Sequence, residues 1–302
     1  MRITQSMLSR MNMQQLSLQR GRLARTQEQA ATGRRLNRPS DDPVDYRSTL
    51  GLKDAMSQTG RFLRSIDLSR TRLRATEEAI ADAMDVVSEA RAVAVQGGNT
   101  TNGPDARAAL RVQVEQLFDQ ILDASNAKAP GGGFVFSGVA SDVRAFERAG
   151  SFVSGSPPPT VSFEGDDRAV EVEIDEGVTI EVTRSGQDVF QGSVDLFEVM
   201  GRLWEGLDQN DSALIRTAMD DLDLAFDQLS LERSQVGGAE AKADSFEERL
   251  SSEELDLTSQ ISLLEDADAY QVFSDLAIQE AALQASLEVT ARMQQPTLLD
   301  FL

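Results

Sequence analysis

Residues 44–96, VDYRSTLGLKDAMSQTGRFLRSIDLSRTRLRATEEAIADAMDVVSEARAVAVQ, decide the fold. Every seventh residue gives Leu52, Thr59, Ile66, Leu73, Ile80, Val87 and Ala94. A column held that long predicts one helix with a single face against another helix along its length. The companion column is mixed: Met56, Leu63, Arg70, Glu77, Met84 and Arg91. That seam is less apolar than a two-stranded zipper, so a bundle or a multi-chain assembly fits it better. Gly97-Gly98-Asn99 stops the helix.

A second column of equal persistence lies towards the other end. It reads Ile215, Leu222, Leu229, Val236, Ala243, Leu250, Leu257 and Leu264, with a capping residue expected at Asn210, Asp211 or Ser212. Gly237-Gly238 is its weak point, since each glycine costs about 1 kcal/mol in a helix. Glu265-Asp266-Ala267-Asp268 interrupts it. Between the two columns, Leu110, Val114, Leu117, Ile121 and Ala124 mark a shorter helix, started at Asn102-Gly103-Pro104-Asp105 and ended by Pro130 and Gly131-Gly132-Gly133.

The outermost stripes are also helical. Residues 3–33 carry Ile3, Met7, Met11, Leu16 and Leu23 at helical intervals, closed by Thr32-Gly33. Asn37-Arg38-Pro39-Ser40-Asp41-Asp42-Pro43 is a turn, with Ser40, Asp41 or Asp42 placed to cap the next helix and Pro43 suited to its first turn. Val272, Leu276, Leu283 and Leu287 form the last stripe, ended by Pro296 and followed by the apolar tail Leu298-Leu299-Asp300-Phe301-Leu302.

The period changes to two in the middle. Val170, Val172 and Ile174 alternate with acids, and Val178, Ile180 and Val182 alternate with Thr179, Glu181 and Thr183, which predicts a hairpin with one wet face. Phe134-Val135-Phe136 and Val161-Ser162-Phe163 read as further short strands, and Pro157-Pro158-Pro159 as an extended loop. The expected fold is mainly α with a β insertion: an elongated antiparallel helical bundle or coiled coil from both termini, with a small β domain in the middle. The expected divisions are an assembly helix and turn (1–43), a helical stretch (44–130), the β-rich insertion (131–193), a second helical stretch (194–264), and a C-terminal assembly helix and tail (265–302).

Charge supports pairing of the ends. Residues 1–74 hold 15 Lys+Arg against 6 Asp+Glu, a net of +9, and residues 220–302 hold 4 against 19, a net of −15. The whole chain carries −21, which argues against nucleic acid as a partner, because phosphate binding needs basic surface. There is no Cys and no His, which removes thiolate chemistry, the commonest general base and the commonest transition-metal ligand. No catalytic residue, cofactor or metal ligand is assigned, and an enzyme is not expected. An EF-hand starting at Asp208 fails, with Ala213 where glycine is needed and Met219 where glutamate is needed. Gly131-Gly132-Gly133 lacks the Gly-Lys-Ser/Thr of a phosphate cradle and reads as a hinge. No apolar run approaches the ~20 residues of a membrane span. MRITQSMLSRMNMQQ has no apolar core of a secretory signal, so if the protein leaves the cell it must use a route that does not read one.

Several of these segments, in this order, resemble the flagellin superfamily and, within it, its hook-associated proteins of the hook-filament junction. They are Met1-Arg2-Ile3-Thr4, the run TGRRLNRPSDDP at 32–43, Gly132-Gly133-Phe134-Val135-Phe136-Ser137-Gly138, Leu264-Glu265-Asp266-Ala267-Asp268-Ala269-Tyr270, and the Leu-Leu-Asp-Phe-Leu ending. The resemblance covers about residues 1–140 and 195–302. It implies coiled-coil terminal domains, an outward β domain, and a structural subunit that joins hook to filament by axial polymerisation. It implies an extracellular place on the bacterial flagellum, reached by the flagellar type III apparatus. The implied partners are copies of the chain, an adjacent hook-associated protein, flagellin and an export chaperone, with no membrane insertion. The alternative is a filament flagellin; Pro43 and the Leu-Leu-Asp-Phe-Leu ending favour the junction. The assembly interface is expected on the outermost stripes and tail, from Ile3 to Leu23 and from Val272 to Leu302, with the turn at Asn37, Arg38, Pro39, Asp41, Asp42 and Pro43.

Overall fold

The computed structural model describes residues 5–99 and 103–294. In chain order the elements are α1 (Gln5–Thr32), α2 (Pro43–Gly98), α3 (Pro104–Ser125), β1 (Phe146–Ala149), β2 (Thr160–Phe163), β3 (Glu171–Asp175), β4 (Val178–Glu181), α4 (Gly186–Gln191), α5 (Leu196–Asp208), α6 (Ser212–Glu265) and α7 (Ala269–Gln294). The chain forms two compact units whose boundary falls inside α2 and α6. One comprises residues 1–58 and 253–302, the other residues 59–252.

In the 59–252 unit, α2 and α6 run antiparallel. Arg91 Nε meets Asp223 Oδ1 at 2.9 Å and Arg233 Nη2 meets Glu77 Oε1 at 2.6 Å; Arg70 reaches Asp244 at 2.7 Å and also pairs with Glu247. The charged members of the mixed column are thus ion pairs across the helix seam. The apolar columns are its inside: Ile66, Leu73, Ile80, Val87 and Ala94 of α2, and Ile215, Leu222, Leu229, Val236, Ala243 and Leu250 of α6, are all at most 2% exposed. Asp211 caps α6, its Oδ1 accepting from the amides of Ala213 (2.8 Å) and Leu214 (3.2 Å). The helix continues through Gly237-Gly238 without interruption.

The β segments share one hydrophobic core with these helices and with α3 and α5. The centre of that core is aromatic. Phe118 meets Phe152 edge-on at 5.1 Å, Phe136 meets Phe190 at 5.1 Å, and Phe146 packs on Phe163, Phe190 and Phe197. Trp204 is buried, donates from Nε1 to Glu115 Oε1 at 2.8 Å, and lies under the Arg111 guanidinium. Asp208 ties the 154–155 loop down. It accepts from Ser154 Oγ at 2.7 Å and from the Gly155 amide at 3.0 Å, and it pairs with Arg111. These bonds, the Ser154 hydroxyl foremost, hold its carboxyl below the usual carboxylate range.

The two sheets are separate antiparallel pairs. In β1–β2, Phe146 stands opposite Phe163; in β3–β4, Val172 stands opposite Ile180, with Gly177 at φ +71° in the turn. The expected hairpin is therefore present. Phe134-Val135-Phe136 is not a strand. Three successive positive-φ glycines, Gly131 to Gly133, turn the chain so that these residues become loop anchors in the core, and the Val135 amide is satisfied by Ala127 O at 3.0 Å. Helix α3 also stops earlier than expected, at Ser125. Asn126 folds its side chain back to Leu122 O and across to Phe146 O, diverting the chain before Pro130 is reached.

Candidate functional site

The unit of residues 1–58 and 253–302 is built on α1 and α7. They run antiparallel: Arg34 bridges Asp266 at one end, Thr26 Oγ1 bonds Gln279 Oε1 at 3.0 Å further along, and Leu16 shares a crevice with Ala285 and Val289 beyond that. Two turns are zipped together at the Arg34–Asp266 end. Arg35 donates its amide to Glu265 O at 2.7 Å, and the Ala267 amide donates to Gly33 O at 2.9 Å. Gly33, at φ +71°, ends α1 in the left-handed conformation that favours glycine.

Charged side chains reinforce the zip. The Glu265 side chain is 6% exposed and is held between Arg34 (3.0 Å) and Lys53 (2.6 Å). Arg35 spans the same turn, donating from Nη2 to Asp45 Oδ2 at 2.6 Å and to Leu264 O at 2.8 Å. The residues 37–43 work as a folded loop. Asp41 Oδ2 accepts from the amides of Asn37 and Arg38, and Asp42 Oδ1 caps α2 through Val44 (3.0 Å) and Asp45 (3.1 Å), with Pro43 in the first turn. Asn37 returns its side chain to Arg34 O, and Arg38 pairs with Glu28. Leu36 is buried beneath. Asp268 caps α7 through the Tyr270 and Gln271 amides.

The sequence-assigned stripe residues divide into three groups. Val272 is buried and Leu16, Leu23, Leu276 and Leu283 are half-buried, on the side where α1 and α7 face one another. Met7, Met11 and Leu287 are exposed. Ile3, Leu298, Leu299, Phe301 and Leu302 lie outside the described residues. Sequence reasoning missed a further group, the apolar residues on the outer side of each helix. On α7 these are Tyr270 (92% exposed), Phe273 and Ile278; on α1 they are Met13 and Leu18. The signal was available. In α7 the apolar residues are spread round the helix, with Asp275, Glu280, Glu288 and Arg292 its only charges. A helix apolar all round is one that expects burial on more than one face. The outer side of α1 also carries Arg10, Arg20, Arg22 and Arg25, all exposed.

Among its described residues the site offers a paired-helix surface with exposed apolar and arginine side chains. It can bind and stack helices. Among the described residues, no helix is long and apolar enough to cross a membrane.

The family pattern described as the bacterial flagellin N-terminal helical region matches residues 3–141, and the one described as the bacterial flagellin C-terminal helical region matches residues 219–302. Flagellar hook-associated protein 3 of Salmonella typhimurium is 23% identical over 318 residues, with 97% of each chain covered. The protein of that name from Escherichia coli is 22% identical, again with 97% of each chain covered. A solved structure of a flagellar hook-associated protein from Vibrio parahaemolyticus superposes with a TM-score of 0.66 at 19% identity, over 74% of this chain and 99% of that one.

Proposed function

The chain belongs to the bacterial flagellin family, matched at both of its helical ends, and we propose that it is a structural subunit joining the flagellar hook to the filament. It polymerises axially through α1 and α7, with copies of itself, an adjacent hook-associated protein and flagellin as neighbours. The observation that carries the polymerising role is the α1–α7 pair. Its inner faces are satisfied within the chain, while Tyr270, Phe273, Ile278, Met13 and Leu18 stay exposed on its outer faces. Exposed large apolar groups gathered on one paired element mark a contact surface. The end-to-end similarity to hook-associated proteins favours the junction over a filament role. Delivery through the flagellar export apparatus, with a dedicated chaperone, belongs to the same reading.

A deletion strain tests it. Cells lacking the protein should build a hook, release flagellin into the medium and carry no filament. A normal filament in that strain would overturn the proposal. A bare hook without released flagellin would instead point to a filament subunit.

A further inference from the structure

In the 59–252 unit, four inward-turned arginines have negative partners. Arg70, Arg111, Arg184 and Arg202 each pair with a carboxylate. Buried Arg107 has no carboxylate among the described residues either, but donates to two carbonyls, from Nε to Gly97 O at 3.0 Å and from Nη1 to Asn210 O at 3.2 Å. Arg72 differs. It is half-buried on α2, its Nη2 reaches Phe134 O at 3.3 Å, and among the described residues no carboxylate pairs with it; its Nε is buried with no acceptor, as are those of Arg70, Arg111 and Arg202. Burial alone pushes its pKa below the usual arginine value, with no acid nearby to offset the shift.

This guanidinium sits in the wall of a crevice of about 420 Å³. The rest of the lining is mainly apolar, with Leu68, Pro130, Val170, Val172 and Val182, and includes the hydroxyl residues Ser65, Ser69 and Thr71. Arg72 is the charged residue of the lining. The hydroxyls beside it are occupied as donors, Ser69 to Ser65 O at 2.7 Å and Thr71 to Asp67 O at 2.9 Å. Leu68, at the rim, is 74% exposed. The site therefore has a planar donor lacking an anion at one side and mainly apolar walls around it. A carboxylate on an aliphatic stem satisfies both; a bare hydrated anion satisfies only the first.

We propose that this crevice receives an acidic side chain, carried on an apolar stretch of a second copy of the chain. Charge complementarity names the occupant: the chain carries 50 Asp+Glu against 29 Lys+Arg, so a neighbouring copy offers carboxylates in excess. The inference rests on the self-assembling reading above and adds a contact made by the 59–252 unit.

The test places a photo-crosslinking phenylalanine analogue at Leu68 and irradiates intact flagella. The expected product is a band at twice the 32.9 kDa of the chain, mapping to an Asp- or Glu-bearing peptide of the same protein. Arg72→Gln should reduce that band roughly tenfold, the loss of one charge-assisted pair. It should leave the melting temperature of the isolated protein unchanged or raised, because it removes an uncompensated charge. Arg72→Lys, which keeps the charge without the fork, should give an intermediate band. A dimer band indifferent to Arg72→Gln, a crosslink to another protein, or labelled protein on flagella with no crosslink would each overturn the inference. Absence of the labelled protein from flagella would overturn the functional reading and this inference with it.

Discussion

The two units bury different things. In the 59–252 unit, Trp204, Phe118, Phe136, Phe146, Phe190 and Phe197 are all fully enclosed. Among the described residues of the other unit, only Thr26, Leu36, Thr49, Leu257, Glu265 and Val272 are buried, and half of those are polar. One unit closes an aromatic core by itself. The other is held by turn-to-turn hydrogen bonds and a thin helix seam, and leaves large apolar side chains in water. In a chain that assembles, the second pattern is the expected one: surface that is costly in the monomer becomes the driving force for stacking.

The sharpest way to break this contrast is to hollow each unit in turn. Phe118→Ala should cost about 3–5 kcal/mol, since the ring is fully buried and meets Phe152 and Phe197. Leu283→Ala, at a half-buried site, should cost the monomer under about 1.5 kcal/mol. Urea denaturation followed by Trp204 fluorescence and by helix circular dichroism reads both. Equal losses would mean that the terminal pair has a core as closed as the other unit's.

Next comes the zip itself. Glu265→Gln removes the charge held between Arg34 and Lys53, both of which are themselves solvent-accessible. The expected loss is about 1–2 kcal/mol, the range of a hydrogen bond to a charged group discounted for exposed partners. Hydrogen exchange should quicken at the Arg35 and Ala267 amides, which bond across the two turns, and stay unchanged at Val135 in the other unit. Faster exchange at all three would show that Glu265 supports more than the turn.

A stabilising change of similar size tests the long helix. An added Cβ at Gly237 or Gly238 would meet nothing within 4 Å. Each Gly→Ala substitution should therefore stabilise by up to about 1 kcal/mol, through backbone entropy alone. If α6 needs a pliant point there for assembly, the doubly substituted protein will melt higher and yet join filaments poorly. Unimpaired filaments would show that the glycines serve no such purpose.

Much of this was legible from residue spacing. The apolar columns of α2 and α6 are the buried seam, because a heptad repeat needs no knowledge of the partner to declare its face. Arg70, Glu77 and Arg91 read only as a weakening of that seam. Their meaning lies in Asp244, Glu247, Arg233 and Asp223, more than a hundred residues away, and antiparallel pairing is what brings them together. Strand β1 was invisible because Phe-Glu-Arg-Ala has one inward residue and no alternation. At the terminal helices, the stripe Leu16, Leu23, Leu276 and Leu283 was readable by period, while Phe273 and Ile278 were not, since they fall off that stripe. A helix that needs two partners has two apolar faces, and periodicity reports only one.

The smallest effect separates the cross-helix ion pairs from the apolar seam they flank. Arg91 and Asp223 meet at 2.9 Å with side chains 58% and 43% exposed. Water competes for both charges and salt screens them, so a double-mutant cycle on Arg91→Ala and Asp223→Ala should give a coupling of about 0.2–1 kcal/mol, falling at high ionic strength. Val87 and Leu222, buried in the same seam, should lose stability on truncation by an amount that does not fall as salt rises. That pairing of results would assign register to the charges and cohesion to the column. A coupling well above 1 kcal/mol, or one that salt leaves untouched, would mean that the ion pairs hold the helices together, and that the contrast between a closed unit and a loosely tied one rests on charge rather than on buried apolar area.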